Sequence, residues 1–317
     1  MPDRIRTIHA YHAFGEALQQ GFSECYPDRE LVVWDDPDDF ARGIERVEVL
    51  LALRPPRGHW RRARRLRLVQ MPGAGVDSLL PEPDLPESVR IANARGIHEP
   101  EMAEFTLALI LALAKRVPRA AQQQARGQWK MYAGMRLEGA TVGILGLGAI
   151  GHSVARRCKA LGMRVIGTRY SAEPLEFVDQ VLGPADTRRV LEQSDVVVVV
   201  LPLTPETRSS IDAEALAAMK PRALLVNVAR GGIVDEAALA RALDDGRLGG
   251  AAVDVFEQEP LPDSSPLWSA RNCLVTPHVA GLSRDYMSRV AGIFFENIRR
   301  LESGEPLRNE VDRSRGY

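Results

Sequence analysis

TVGILGLGAIGHSVARRCKALGMRVIGTRYS, residues 141–171, decides the fold of this chain. Val142, Ile144 and Leu145 form an apolar strand, and Gly146, Gly148 and Gly151 follow it in the spacing G-x-G-x-x-G. Ile150, Val154, Cys158 and Leu161 then recur at helical spacing, Gly162 stops the helix, and Met163 to Gly167 reads as a second strand. A glycine-rich turn alone says little, because such turns are common; between a strand and a helix it has a specific use. Gly146 makes the tight turn, Gly148 lets the backbone approach a pyrophosphate, and Gly151 lets the helix pack on the strand. The helix aims free N–H groups and the positive end of its dipole at that pyrophosphate. The stretch therefore predicts a dinucleotide site.

The end of the second strand refines that reading. NAD sites usually carry an acid there, which accepts hydrogen bonds from the ribose hydroxyls. This chain has Thr168, Arg169, Tyr170 and Ser171, with no carboxylate before Glu173. An arginine has no acceptor for a ribose hydroxyl, but its planar fork suits the 2′-phosphate of NADP. The expected cofactor is NADP(H), with NAD(H) the weaker alternative.

Working outward, 317 residues are enough for two domains. Basic and acidic residues number 41 and 42, so no global charge favours nucleic acid or a membrane surface. The basic run Arg57–Arg67 lacks a nucleic-acid motif; Trp60, Ala63, Leu66 and Leu68 give it an apolar face behind a solvated basic one. Cys25, Cys158 and Cys273 are odd in number and far apart, which suits reduced thiols in a cytoplasmic protein and matches no zinc spacing. The start MPDRIRTIHA has no apolar signal core, and the longest apolar run, Phe105–Ala114, is too short to span a bilayer.

The first ninety-odd residues hold short strands at Leu31–Trp34, Val47–Leu53, Leu66–Met71 and Val89–Ala92 among proline-rich connectors. A long apolar helix runs from about Pro100 to Val117, with Glu99 and Glu101 at its positive end. Six strands follow it: Thr141–Leu145, Met163–Thr168, Val196–Leu201, Ala223–Val228, Ala251–Val255 and Cys273–Thr276. The unbroken apolar run Val196–Val200 predicts a central parallel strand buried on both faces. This pattern is α/β, a doubly wound parallel sheet. The last helix, around Ser283–Ser303, lies past the final strand and is expected to return to the N-terminal domain.

Chemistry belongs on loops at the carboxyl ends of such strands. Arg230 follows the strand LLVNVA, Glu259 follows AAVDV, and His278 follows CLVT. Each has an ordinary use alone, as a surface charge, a turn residue before proline, or a packed imidazole. Together they are the set that hydride transfer to a 2-keto acid requires. A cationic fork holds the carboxylate and polarises the carbonyl; a group that exchanges a proton near neutral pH touches the carbonyl oxygen; a carboxylate behind it favours its charged form.

Other stretches extend the pattern. They include GAGVDSL (73–79), NARGIHEPEMAEF (93–105), SDVVVVVLPLTPET (194–207) and NVARGGIVDEAAL (227–239). With these the chain resembles the D-isomer-specific 2-hydroxyacid dehydrogenases nearly end to end. GAGVDSLL, SPLW and the tail VDRSRGY look like the glyoxylate and hydroxypyruvate reductase branch. The resemblance implies two Rossmann-like domains: a nucleotide-binding domain at 97–284, and a smaller, discontinuous, flavodoxin-like substrate domain at 1–96 plus 285–317. They would close over a cleft, hinged near Asn93–Pro100 and Gly281–Asp285. By analogy Arg230 binds the substrate carboxylate and carbonyl, His278 is the acid and base, and Glu259 hydrogen-bonds His278. The backbone N–H groups of Ala74, Gly75 and Val76 grip the carboxylate. Ala149 and Ile150 meet the pyrophosphate beside the three glycines, Thr168 and Arg169 the ribose. Leu201, Pro202 and Thr207 line the adenosine side; Val228, Ala229, Asp254 and Gly281 lie near the nicotinamide. The helix from Pro100 and the segment through Trp129 form a homodimer contact. His98 departs from the family pattern, standing where an asparagine or similar polar residue is common.

Other readings compete. A nucleotide-sensing corepressor uses the same fold as a binding protein, and fold alone does not separate them. It would carry partner-binding tails, whereas this sequence ends soon after the last helix. Formate dehydrogenases share the scaffold but typically lack the Glu partner of the His, so Glu259 argues against them. A 2-hydroxyacid dehydrogenase of another substrate preference remains within the family.

Overall fold

The computed structural model describes residues 4–11, 15–171 and 173–313, apart from the side chains of 15–17. The last four residues of the VDRSRGY tail lie outside the described residues. The chain divides into two compact units, residues 1–97 with 283–317, and residues 98–282.

The first unit is built on β1 (Thr7–Tyr11), α1 (Gly15–Cys25), β2 (Glu30–Trp34), α2 (Pro37–Gly43), β3 (Val49–Ala52), β4 (Leu68–Gln70) and β5 (Arg90–Ala92). Its strands are all parallel in the order β2-β1-β3-β4-β5, the doubly wound order of flavodoxin. Alternation along each strand feeds two cores. Ile8, Val49, Leu51 and Leu68 face one way, towards Leu18, Phe294 and Ile298. Tyr11, Leu50, Val69 and Ile91 face the other, towards Phe40, Trp60 and Leu66. The basic run divides as its sequence predicts: Trp60, Ala63, Leu66 and Leu68 are buried, while Arg61, Arg62, Arg64 and Arg65 stay exposed.

The second unit contains α3 (Glu99–Ala114), α4 (Val117–Ala125), β6 (Thr141–Leu145), α5 (Ala149–Ala160), β7 (Arg164–Thr168), β8 (Gln180–Leu182), α6 (Thr187–Gln193), β9 (Val196–Val199), α7 (Ala213–Ala218), β10 (Leu224–Asn227), α8 (Glu236–Asp244), β11 (Gly250–Val253) and β12 (Cys273–Val275). The sheet is parallel throughout, ordered β12-β11-β10-β9-β6-β7-β8. β9, all valine, is buried along its length and sits at the centre. Its alternate residues enter two cores, Val197 and Val199 beneath α6, α7 and α8, Val196 and Val198 beneath α3 and α5. The chain then returns to the first unit as α9 (Tyr286–Ser303), which ends at Gly304 in the left-handed region (φ 71°).

The architecture is α/β as expected, with four local corrections. β1, between β2 and β3 in the first sheet, is not among the predicted strands because His9 interrupts a short apolar run. β8 is a seventh strand where six are predicted; it has only three residues. The apolar helix stops at Ala114 rather than Val117, because Arg116 turns left-handed (φ 54°) and Pro118 opens α4 instead of merely closing α3. Leu161 lies outside the α5 stripe, 36% exposed just past the helix end. Among the described residues no helix is long and apolar enough to cross a membrane, and the three cysteines are free.

Candidate active site

The glycine turn lies between β6 and α5. Gly146 has φ 104°, and a Cβ there would fall 2.6 Å from the Val200 carbonyl oxygen. A Cβ on Gly151 would fall 2.1 Å from the Gly146 oxygen, so this glycine is what lets α5 approach the turn. At Gly148 a Cβ would meet nothing within 4 Å: that side is open. Gly148 begins α5 with no side-chain cap, leaving the first N–H groups, including those of Ala149 and Ile150, for an anion. A hollow beside this first turn is lined by Ala149, His152, Ser153, Arg156, Glu176 and Phe177. These features fit a dinucleotide pyrophosphate.

The turn is tied to the end of β7. The N–H groups of Gly146 and Leu147 both donate to the Thr168 carbonyl, at 3.2 and 2.8 Å. Thr168 itself is buried. Arg169 is half-buried next to it, and its N–H donates to Leu182 of β8 at 3.0 Å, so the unpredicted strand fixes the backbone of this arginine. Across the turn, Leu201 is half-buried and Pro202 exposed. The Thr207 hydroxyl donates to the Pro202 carbonyl at 2.6 Å and accepts from the Thr204 N–H at 2.8 Å, which spends it on the shape of its own loop.

Arg230, Glu259 and His278 follow three neighbouring strands, β10, β11 and β12, at their carboxyl ends. Val228 and Ala229 are buried at the root of the first loop, where the Ala229 N–H is held by Asn227 Oδ1 at 3.2 Å. Arg230 is half-buried and its Nη1 donates to the Ala229 carbonyl at 2.8 Å. A Cβ on Gly231 would lie 1.9 Å from the Phe256 oxygen, so only glycine lets the Arg230 loop close on the Glu259 loop. Glu259 Oε1 accepts the Phe256 N–H at 3.1 Å.

His278 and Glu259 meet. Nδ1 of His278 lies 3.0 and 2.9 Å from the two carboxylate oxygens. The Glu259 side chain is 18% exposed and that of His278 43%. A carboxylate only accepts, so Nδ1 carries a proton and Nε2 is the nitrogen left to exchange one with a ligand. His278 itself stands in the left-handed region (φ 53°).

The resemblance implies only that Asp254 lies near the nicotinamide, whereas its carboxylate holds this loop. Asp254, buried at the end of β11, accepts the Thr276 hydroxyl at 2.6 Å and the Val279 N–H at 3.0 Å on Oδ1, and the Ala280 N–H at 2.9 Å on Oδ2. Sequence alone marks an acid after a strand; only the fold shows that it brackets His278. Gly281 follows directly and packs on buried His98: a Cβ there would come 3.1 Å from its Cδ2. In the other unit, Ala74 and Gly75 are half-buried and Val76 buried, on the loop after β4.

Residues 107–280 match the family model described as D-isomer specific 2-hydroxyacid dehydrogenase, NAD binding domain. A glyoxylate reductase of Korarchaeum cryptofilum is 36% identical over 313 residues, covering 94% of each chain. A D-3-phosphoglycerate dehydrogenase of Methanocaldococcus jannaschii is 38% identical over 261 residues, 79% of this chain; the match spans about half, 48%, of that longer protein. Among solved structures, the NADPH-dependent glyoxylate/hydroxypyruvate reductase of Sinorhizobium meliloti in complex with NADP and sulfate is 30% identical. It superposes with a TM-score of 0.87 over 99% of this chain and 100% of that one.

Proposed function

Because the chain belongs to the D-isomer-specific 2-hydroxyacid dehydrogenases, we propose that it reduces a small 2-keto acid of the glyoxylate or hydroxypyruvate type to the D-2-hydroxy acid. The observation that carries this reading is the contact of His278 Nδ1 with both oxygens of Glu259. It orients the ring and leaves Nε2 as the nitrogen able to exchange a proton, on a loop two strands from the one that presents Arg230. The names of the glyoxylate reductases it resembles support the substrate class.

In this proposal Arg230 pairs with the substrate carboxylate and polarises the carbonyl. The imidazolium of His278 gives its Nε2 proton to the carbonyl oxygen as negative charge develops there, and Glu259 stabilises the imidazolium until it does. The N–H groups of Ala74, Gly75 and Val76 are the proposed backbone donors to the carboxylate. The unit of residues 98–282 binds the cofactor through Gly146, Gly148, Ala149, Ile150 and Gly151. A reduced nicotinamide bound there supplies the hydride. Arg169, with no acid beside it on β7, favours NADPH over NADH.

A homodimer completes the proposal. Trp129 and Met131, in the segment after α4, are 96% and 92% exposed in the single chain, and large apolar side chains so exposed mark an interaction surface. A single-chain mass by light scattering would remove the dimer and leave the fold.

The deciding experiment is a panel of glyoxylate, hydroxypyruvate, pyruvate and 3-phosphohydroxypyruvate with NADPH or NADH, followed by loss of nicotinamide absorbance. Turnover of glyoxylate or hydroxypyruvate with NADPH is the expected result. Turnover of the phosphorylated acid alone would move the assignment to the phosphoglycerate branch; no turnover of any would return the fold to a binding role.

A further inference from the structure

The loop carrying Ala74, Gly75 and Val76 is held from behind. Three consecutive carbonyls, those of Pro72, Gly73 and Ala74, each accept a hydrogen bond inside the unit. Their donors are the Tyr286 hydroxyl at 2.7 Å, the Ala94 N–H at 2.9 Å and Asn93 Nδ2 at 2.8 Å. These peptide units are trans, and a trans unit points its N–H opposite its C=O. Anchoring the carbonyls on one side therefore turns the N–H groups of Gly73, Ala74 and Gly75 to the other. Among the described residues those three groups and the N–H of Val76 donate no intramolecular hydrogen bond.

Both side-chain anchors are themselves fixed. Asn93 is 1% exposed and its Oδ1 accepts the Arg95 N–H at 3.1 Å, so the amide cannot turn over without losing a bond at each end. Its backbone N–H is held by the Asn309 carbonyl at 3.1 Å. Tyr286 is buried in the first turn of α9, and burial pushes its phenol up to about 12, so the hydroxyl remains a donor throughout any working pH range.

We propose that Asn93 and Tyr286 are positioning residues for the substrate carboxylate: they preset a row of backbone N–H dipoles that would otherwise have to reorganise when the anion arrives. This rests on the reading of the 73–76 loop as the carboxylate cradle. The chemistry fits, since successive backbone N–H groups make an anion site without any cation. Both act through the loop's carbonyls. Their contribution is the same in the bound ground state and the transition state, which raises KM when lost and spares turnover.

The test compares wild type with Tyr286→Phe, Asn93→Ala and Asn93→Asp, using glyoxylate and the better nicotinamide cofactor. Each loss of an anchor is expected to raise the glyoxylate KM by about threefold to tenfold, the worth of one net hydrogen bond, with kcat and the cofactor KM within about twofold. Asn93→Asp keeps the acceptor for Arg95 but sets an oxygen against the Ala74 carbonyl, so its effect should equal or exceed that of Asn93→Ala. Tyr286→Phe removes a single atom, which guards against a variant that does not fold. An unchanged glyoxylate KM in Tyr286→Phe and Asn93→Ala overturns the proposal, as does a parallel rise in the cofactor KM with a fall in kcat. A wild-type enzyme that turns over no 2-keto acid would instead overturn the carboxylate reading, and this one with it.

Discussion

Asp254 Oδ1 accepts the Thr276 hydroxyl at 2.6 Å, and the same buried carboxylate takes the N–H groups of Val279 and Ala280 on the far side of His278. One side chain thus clamps both ends of the loop that presents the proposed acid. Asp254→Asn keeps one acceptor and sets a donor against another donor. The expected outcome is a loss of about 1.5–3 kcal/mol in unfolding free energy, the range for hydrogen bonds to a charged group. Turnover should fall more than KM rises, because the loop's geometry matters when the proton moves. Denaturant unfolding beside steady-state kinetics reads both.

His278→Asn should lower the rate of reduction by about a hundredfold to ten-thousandfold, the usual contribution of a positioned acid. Glu259→Gln should fold normally and lower turnover, because an amide in place of the carboxylate no longer fixes Nδ1 as a donor or holds the ring through two acceptor oxygens. Unchanged turnover in Glu259→Gln would separate the pair from the chemistry.

Arg230→Ala should raise KM for the keto acid and lower turnover together, since one guanidinium is asked both to bind the carboxylate and to polarise the carbonyl. A change in KM alone would confine Arg230 to binding.

NADPH should outperform NADH in kcat/KM by roughly tenfold to a hundredfold, as one charge-assisted pair with the 2′-phosphate is worth. Arg169→Asp should reverse the order by supplying the missing acceptor for the ribose. Equal use of both cofactors by wild type would remove Arg169 from the site.

Acid should loosen the first sheet through His9. This imidazole is 3% exposed on β1, its ring centroid 4.7 Å from that of Trp34, and burial lowers its pKa from 6.5 to about 4. The unfolded chain therefore binds the proton first. Stability is greatest above the unfolded value and is lost as pH falls from 6.5 towards 4. The loss amounts to about 3 kcal/mol over that window. Unfolding of wild type and His9→Asn at neutral and acid pH measures the difference, and equal acid sensitivity in the two would exonerate this residue.

Much of this is legible in the amino-acid sequence alone. G-x-G-x-x-G between apolar runs, and the all-valine run at 196–200, are local signals whose meaning does not depend on distant parts of the chain. Thr7–Tyr11 is not: its place inside a sheet is decided by β2 and β3 on either side, and a histidine in five residues hides it. The same holds for the supports of the candidate site. Asp254 and Thr276 are 22 residues apart in sequence, and Tyr286 and Pro72 are 214 apart. Periodicity says nothing about such pairs. Sequence reading finds the groups that would do the chemistry, while the groups that aim them emerge only from packing.

The seven-stranded sheet also has an engineering consequence. Parallel neighbours sit about 4.8 Å apart whatever joins them, so the roots of the loops that carry Arg230, Glu259 and His278 are spaced by β10, β11 and β12. The excursion between β11 and β12 contains the exposed stretch Asp263–Ser264. Residues inserted between Asp263 and Ser264 therefore lengthen the excursion while leaving the strand spacing and the run from β11 to Glu259 as they are.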